Sequence, residues 1–195
     1  MSDEWDDVAP AWDTDPGPRE YAEAAFASLQ RVLTGHLDLA GARVLDFGCG
    51  TGLLTAHLVR VGAAVDAVDT SPTMLQILAT KIAEAGWDSV QVSGDLADAT
   101  GPYDLVVASS VLSFVDDHPA TVAALAERLR PGGLLVHWDW ERDGDDPDGH
   151  GLGRDQIAAA LTAAGLVEPT VATAFTIEVE DMTMSPLIGH ARRPE

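Results

Sequence analysis

The chain has 195 residues, 46% of them hydrophobic, which suits one compact domain with a sizeable core. Its 32 acidic residues outnumber 11 basic ones, leaving a formal net charge of -21, and Lys81 is the only lysine. A surface this negative repels phosphate backbones and anionic bilayers, so nucleic acid and membrane are excluded as partners.

Cys49 is the single cysteine, so no internal disulfide forms, as in a reducing cytoplasm. The N-terminus, MSDEWDDVAP, lacks the basic start and apolar run of a secretory signal. No window reaches the roughly 18 apolar residues of a membrane span. The expectation is a soluble, cytoplasmic protein acting as one domain over residues 1–195. Nothing in the sequence indicates an oligomeric state.

In chain order, residues 1–18 read as an irregular acidic arm carrying Trp5 and Trp12. From Arg19 to His36 the apolar residues Ala22, Ala25, Phe26, Leu29, Val32 and Leu33 recur at helical spacing. A short strand, RVLDF (43–47), runs directly into GCGTG, and a helix is expected over 51–61. AVDAVD (64–69) is a second strand. Ser71 and Pro72 then form an N-cap and first helical residue, for a helix that Gly86 stops. Strands follow at 89–93 and 104–109, then a helix over 119–129. Pro131-Gly132-Gly133 reads as the turn into a fifth strand, 134–139. After an acidic, glycine-rich loop (141–153) come a helix over 154–164 and two extended runs, 170–179 and 185–192, that read as an antiparallel hairpin. Alternating strands and helices of this kind predict an α/β fold: an open, doubly wound, mostly parallel sheet.

Such sheets bind ligands beyond the carboxyl ends of their strands, at the point where strand order switches. The first strand ends Asp46-Phe47-Gly48-Cys49-Gly50-Thr51-Gly52. Its glycines allow a tight turn, and the following helix offers free N–H groups and a positive dipole end. Asp69 stands 21 residues after Gly48, at the offset where a carboxylate accepts ribose hydroxyls in nucleotide folds. The dinucleotide pattern GxGxxG needs a third glycine at position 53, which is Leu53 here. Asp46 also stands just before the loop, where it repels a pyrophosphate and attracts an ammonium. The pattern therefore favours S-adenosylmethionine over NAD(P) as the cofactor: Asp46 for the ammonium, the helix N-terminus for the carboxylate and Asp69 for the ribose. Asp95 is then placed to accept the adenine amino group.

These segments resemble the class I S-adenosylmethionine-dependent methyltransferases. VLDFGCGTGLLT (44–55) is similar to the family's first motif, VDTSPTML (68–75) to the ribose segment and SGDL (93–96) to the adenine segment. YDLVVASSVLSFV (103–115) and LRPGGLLVHWDW (129–140) resemble later motifs. The resemblance implies a Rossmann-like, seven-stranded sheet with an antiparallel last strand. It also implies that the backbone at Gly48 and Ser109 faces the methionine part, and that Thr70, Met74 and Leu96 pack around ribose and adenine; Cys49 and Gly50, in the same loop, are further cofactor-binding candidates. Trp12 and Tyr21 match, loosely, the family's N-terminal lid.

Plainer readings stand beside these. The glycines can form an ordinary turn, Cys49 and Met74 can be core, and Asp95 can cap a turn. Trp138 and Trp140 flank Asp139, and they either line an acceptor pocket or cover the sheet. His118 and Asp139 are the candidate catalytic groups, His118 also reading as a helix start, whereas His137 reads as core. No set of residues has metal-ligand spacing, and the acidic 141–148 reads as a solvated loop. The chain has Ser109-Ser110 where base and glutamine methylators carry [DN]PP[YF], so the expected acceptor is a small molecule. A non-catalytic binding module and, less readily, an NAD(P)-dependent oxidoreductase remain as rivals.

Overall fold

A computed structural model describes residues 2–142, 151–179 and 182–195. The sequence-predicted elements in 143–150, including His150, and at 180–181 lie outside the described residues. The strands are β1 (Arg43–Phe47), β2 (Ala64–Val68), β3 (Val90–Ser93), β4 (Tyr103–Ser109), β5 (Leu129–Asp139), β6 (Val167–Thr173), β7 (Ile177–Val179), β8 (Met182–Met184) and β9 (Leu187–Arg192). Seven of them form one sheet in the order β3-β2-β1-β4-β5-β9-β6, and β7 and β8 form a separate two-stranded ribbon. β9 is antiparallel to both β5 and β6, whereas β1 with β2, β2 with β3 and β4 with β5 pair in parallel. The α/β, mostly parallel sheet with an antiparallel C-terminal hairpin is therefore as expected. The chain divides into two compact units, Met1–Thr100 and Gly101–Glu195.

In the first unit, α1 (Ser2–Trp12) corrects the irregular arm expected there. Its acidic sequence and Pro10 are poor helix material. Tertiary contacts override that preference: Ala9 is buried, and Asp6 is tied to α4 (Pro72–Ala85). Trp5 and Trp12 meet edge to face at 5.9 Å. Asp15 caps α2 (Pro16–Leu33), its carboxylate accepting from Gly17 N at 2.8 Å. After the glycine loop, α3 spans Leu53–Arg60. Ser71 caps α4 through Met74 N, and Gly86 closes it in the left-handed region at φ 65°.

In the second unit, β4 is buried on both faces from Leu105 to Ala108. α5 (His118–Glu127) starts on Asp117, whose side chain accepts from Ala120 N at 3.0 Å. The fifth strand begins at Leu129, earlier than the turn signal suggested. Pro131-Gly132-Gly133 forms an irregularity inside it, across which pairing steps from Tyr103↔Leu129 to Leu105↔Leu134. Gly133 is required here because a Cβ would lie 2.9 Å from Arg130 O and 3.0 Å from Tyr103 O. α6 spans Arg154–Ala163. The C-terminal hairpin pairs β6 with β9, and its expected first arm breaks after Thr173 into the β7–β8 ribbon.

Candidate functional site

The first unit builds a carboxylate-lined loop at the ends of β1 and β2. Gly48, Gly50 and Gly52 have φ of 71°, 54° and 81°, so the loop turns through conformations that L side chains avoid. Gly52 has a second reason to be glycine: a Cβ there would lie 2.4 Å from Leu78 Cδ1. Asp69 braces this loop from β2. Its Oδ2 accepts from Gly50 N at 2.8 Å and its Oδ1 from Ser71 N at 2.9 Å. Each carboxylate oxygen has a second lone pair, so the braced group can still accept one hydroxyl per oxygen.

Asp46 is only 1% exposed. Its Oδ2 accepts from the Thr55 hydroxyl at 2.6 Å, and its Oδ1 has no partner among the described residues. Burial, offset in part by the Thr55 bond, pushes its carboxyl up to about 6. An orphaned, buried carboxylate oxygen beside a glycine loop is the atom that a cationic group would complete. Cys49 and Met74 are buried, and burial holds the Cys49 thiol well above its ordinary range. Thr70 is exposed and Leu96 is half-buried, opening a 3-10 turn (Leu96–Asp98). Asp95 caps that turn through Ala97 N at 2.8 Å, so its plainer reading is realised at one oxygen.

Sequence reasoning missed three groups that hold the loop from outside. Asp13 accepts from the Thr51 hydroxyl at 2.7 Å and pairs with Lys81 at 2.5 Å. Lys81 also donates to Thr51 O at 2.8 Å. Asp6 accepts from the Ser71 hydroxyl and, at 3.3 Å, from Thr73 N. No periodicity links residues 6 and 13 to 51, 71 and 81. Trp12 is partly exposed and Tyr21 is buried.

The second unit gathers a different set of groups. Ser109, half-buried, ends β4, and Ser110 follows it in the left-handed region at φ 55°, a strained state for serine. A 3-10 turn (Leu112–Phe114) leads towards α5. Asp139 is wholly buried: Oδ1 accepts from Ser113 N at 3.0 Å, and Oδ2 lies 3.1 Å from His137 Nδ1. A carboxylate only accepts, so that Nδ1 carries the proton and Nε2 is left as an acceptor. His118, 6% exposed, lies with its ring centre 6.3 Å from that of His137. Burial and the neighbouring His137 hold His118 below the usual imidazole range, against the opposing pull of Asp139 and Asp117. The structure thus brings His118 and Asp139 into one cluster, with His137 between them. The alternation of His137 and Asp139 on one face of a strand was the available signal for this pairing.

Trp138 is wholly buried, consistent with the reading in which it covers the sheet. Trp140 keeps partial exposure. Among the described residues no group of three His, Cys, Asp or Glu side chains is placed to hold a metal ion, and no helix is long and apolar enough to cross a membrane.

Comparison with known proteins adds identity to this geometry. A ubiquinone biosynthesis O-methyltransferase of Xanthomonas oryzae is 39% identical over 128 residues, 64% of this chain and 53% of its own length. The chain therefore spans about half the length of the curated relatives it matches. The crystal structure of magnesium protoporphyrin IX methyltransferase from Synechocystis PCC 6803 with bound SAM superposes with a TM-score of 0.68 at 23% identity, over 90% of this chain and 80% of that one. The cyclase SpnF superposes with a TM-score of 0.67 at 21% identity, over 85% of this chain and 80% of that one. These structural likenesses share the fold and do not by themselves assign the reaction. The family model described as a methyltransferase domain matches residues 19–175, and the chain belongs to that family.

Proposed function

We propose that residues 1–195 act as a single S-adenosylmethionine-dependent methyltransferase domain, working in the cytoplasm on a hydroxyl of a small molecule. The observation that carries this reading is Asp46: a buried carboxylate whose Oδ1 has no partner, set at the mouth of a loop that Asp69 braces. That set suits a ligand presenting an ammonium and a ribose, and it disfavours a pyrophosphate. The hydroxyl acceptor is supported by the O-methyltransferase relatives.

In this reading Asp46 Oδ1 would hold the ammonium, the N-terminal N–H groups of α3 would meet the carboxylate, and the two Asp69 oxygens would accept the ribose hydroxyls. Gly48, Cys49 and Gly50 would offer backbone, Thr70, Met74 and Leu96 would pack on the nucleoside, and Asp95 would accept from the adenine amino group. When bound, S-adenosylmethionine supplies a methyl group already activated as a sulfonium. The protein's part is to align the acceptor for in-line displacement and exclude water, and positioning of this kind supplies about 7–11 kcal/mol of a barrier. Incubating the protein with methyl-labelled S-adenosylmethionine and separate pools of phenols, aliphatic alcohols, amines and thiols tests the reading. Label should enter a hydroxyl-bearing pool; label confined to amines or thiols, or in none of the pools, from well-folded, cofactor-binding protein sinks it.

A further inference from the structure

One face of α4 follows the glycine loop. Met74, Leu78 and Lys81 stand four and three residues apart, which stacks them on one side of the helix. A Cβ at Gly50 would lie 3.9 Å from Met74 Sδ, and one at Gly52 would meet Leu78 Cδ1. Those two contacts are apolar and non-directional. Lys81 supplies the directional one: its ammonium donates to Thr51 O at 2.8 Å, and Thr51 stands between the two glycines. The same ammonium pairs with Asp13 Oδ2 at 2.5 Å, while Asp13 Oδ1 accepts from the Thr51 hydroxyl at 2.7 Å. The three residues close a ring of bonds that joins the α1–α2 junction, the loop and α4. Thr51 is buried, and Lys81 and Asp13 are partly exposed.

The loop needs such a hold. Gly48, Gly50 and Gly52 lie in the left-handed region, and glycine loses more freedom on ordering than any other residue. A ligand that must order the loop binds more weakly than one that meets it already ordered. Asp69 fixes the loop at Gly50 N. Lys81 and Asp13 fix the next residue, gripping both the carbonyl and the hydroxyl of Thr51. A lone surface ion pair adds little. This pair is one side of a closed ring around a buried residue, so its loss frees the other bonds too. Charge gives a second reason. Asp13 is bonded two residues before the start of α3, where the cofactor reading puts the ligand's carboxylate. Lys81 offsets that negative charge in a chain whose net charge is -21.

We propose that Lys81, the chain's only lysine, is a positioning residue for the cofactor. Through Thr51 and Asp13 it holds the glycine loop in its ligand-ready form, and it cancels the Asp13 charge that would oppose the cofactor's carboxylate. The proposal rests on the S-adenosylmethionine reading above and adds a determinant of affinity from outside the loop. Every group in it belongs to the unit Met1–Thr100. Lys81 acts on binding and takes no part in the transfer step.

The test compares wild type, Lys81→Met and the double variant Lys81→Met with Asp13→Asn, each checked for folding by thermal melting. Calorimetry follows S-adenosylhomocysteine beside methylthioadenosine, which has the nucleoside but no carboxylate. Lys81→Met should weaken S-adenosylhomocysteine about tenfold or more, and methylthioadenosine less. Adding Asp13→Asn should recover about threefold or more of the S-adenosylhomocysteine loss, because the uncancelled charge is gone. In wild type, acetylation of Lys81 by an N-hydroxysuccinimide ester is read by peptide mass spectrometry. Its rate should fall about threefold or more when S-adenosylhomocysteine is bound, since a ligand seated on the loop tightens the ring. Folded Lys81→Met that binds S-adenosylhomocysteine within about twofold of wild type overturns the proposal. A loss equal for both ligands, with no recovery in the double variant, marks a merely structural role and overturns it as well. Equal acetylation rates with and without bound S-adenosylhomocysteine overturn it even where Lys81→Met fails to fold. Failure of wild type to bind S-adenosylhomocysteine overturns the cofactor reading instead, and the positioning role with it.

Discussion

Asp46 shows how one residue couples stability to binding. Its folded carboxyl titrates at about 6 against 3.8 in the unfolded chain, so the native state holds the proton more tightly. The stabilising contribution is present in full below about pH 3.8 and is lost as pH rises through about 6. By neutral pH the buried charge costs about 3 kcal/mol. Asp46→Asn should therefore leave the free protein as stable or more stable at pH 8 by thermal melting, while weakening S-adenosylhomocysteine at least tenfold by calorimetry. A variant that melts lower and binds as wild type does would remove Asp46 from the site. In wild type, cofactor affinity should fall as pH drops through about 6, because the carboxylate that meets the ammonium is then protonated. Gly52 makes a simpler case. Alanine there meets Leu78 Cδ1 at 2.4 Å on a backbone at φ 81°, so Gly52→Ala should lose about 1–3 kcal/mol in urea unfolding.

At the scale of elements, α1 is held by side chains rather than by its own propensity. Asp6 bonds the N-terminus of α4, and Asp13 joins Lys81 to Thr51 in the glycine loop. These ties engage the residues next to Asp69 and Gly50, so the helix braces the cofactor loop. Asp6→Ala should raise amide hydrogen exchange across residues 2–12 while leaving α5 and α6 unchanged; equal protection in the variant would show that apolar contacts alone seat the helix. The elements best read from the sequence carried local signals: Ser71-Pro72 opening α4, Gly86 closing it, and the apolar DLVVAS of β4. α1 was not legible because Asp6 finds its partners 65 and 67 positions away. The early start of β5 was hidden because Pro-Gly-Gly signals a turn, and here it makes a bulge inside a strand.

For the whole molecule, charge pattern was the most legible feature of the site. Asp46, Asp69 and the three glycines were recognisable because their offsets are set by the strand–loop–helix geometry that presents them. In the second unit, His118 and Asp139 stood out in the sequence as candidates, whereas the bond between His137 and Asp139 did not, because a histidine within a strand shows its partner only when the fold is in hand. The net charge of -21 predicts a further property. Added salt screens self-repulsion, so the melting temperature should rise from low to moderate sodium chloride. A melting temperature that falls with salt would mean that the described ion pairs outweigh that repulsion.

The central claim is that Asp46 and Asp69 make this loop a site for a sulfonium nucleoside, and calorimetry tests it most directly. Titrating wild type and Asp69→Ala with S-adenosylmethionine, S-adenosylhomocysteine and NADH should show micromolar binding of the first two to wild type. That binding should weaken at least tenfold, or about 1.4 kcal/mol, in Asp69→Ala, with none for NADH. Folded wild-type protein that ignores both adenosyl compounds, or an Asp69→Ala variant that binds them as wild type does, would contradict it.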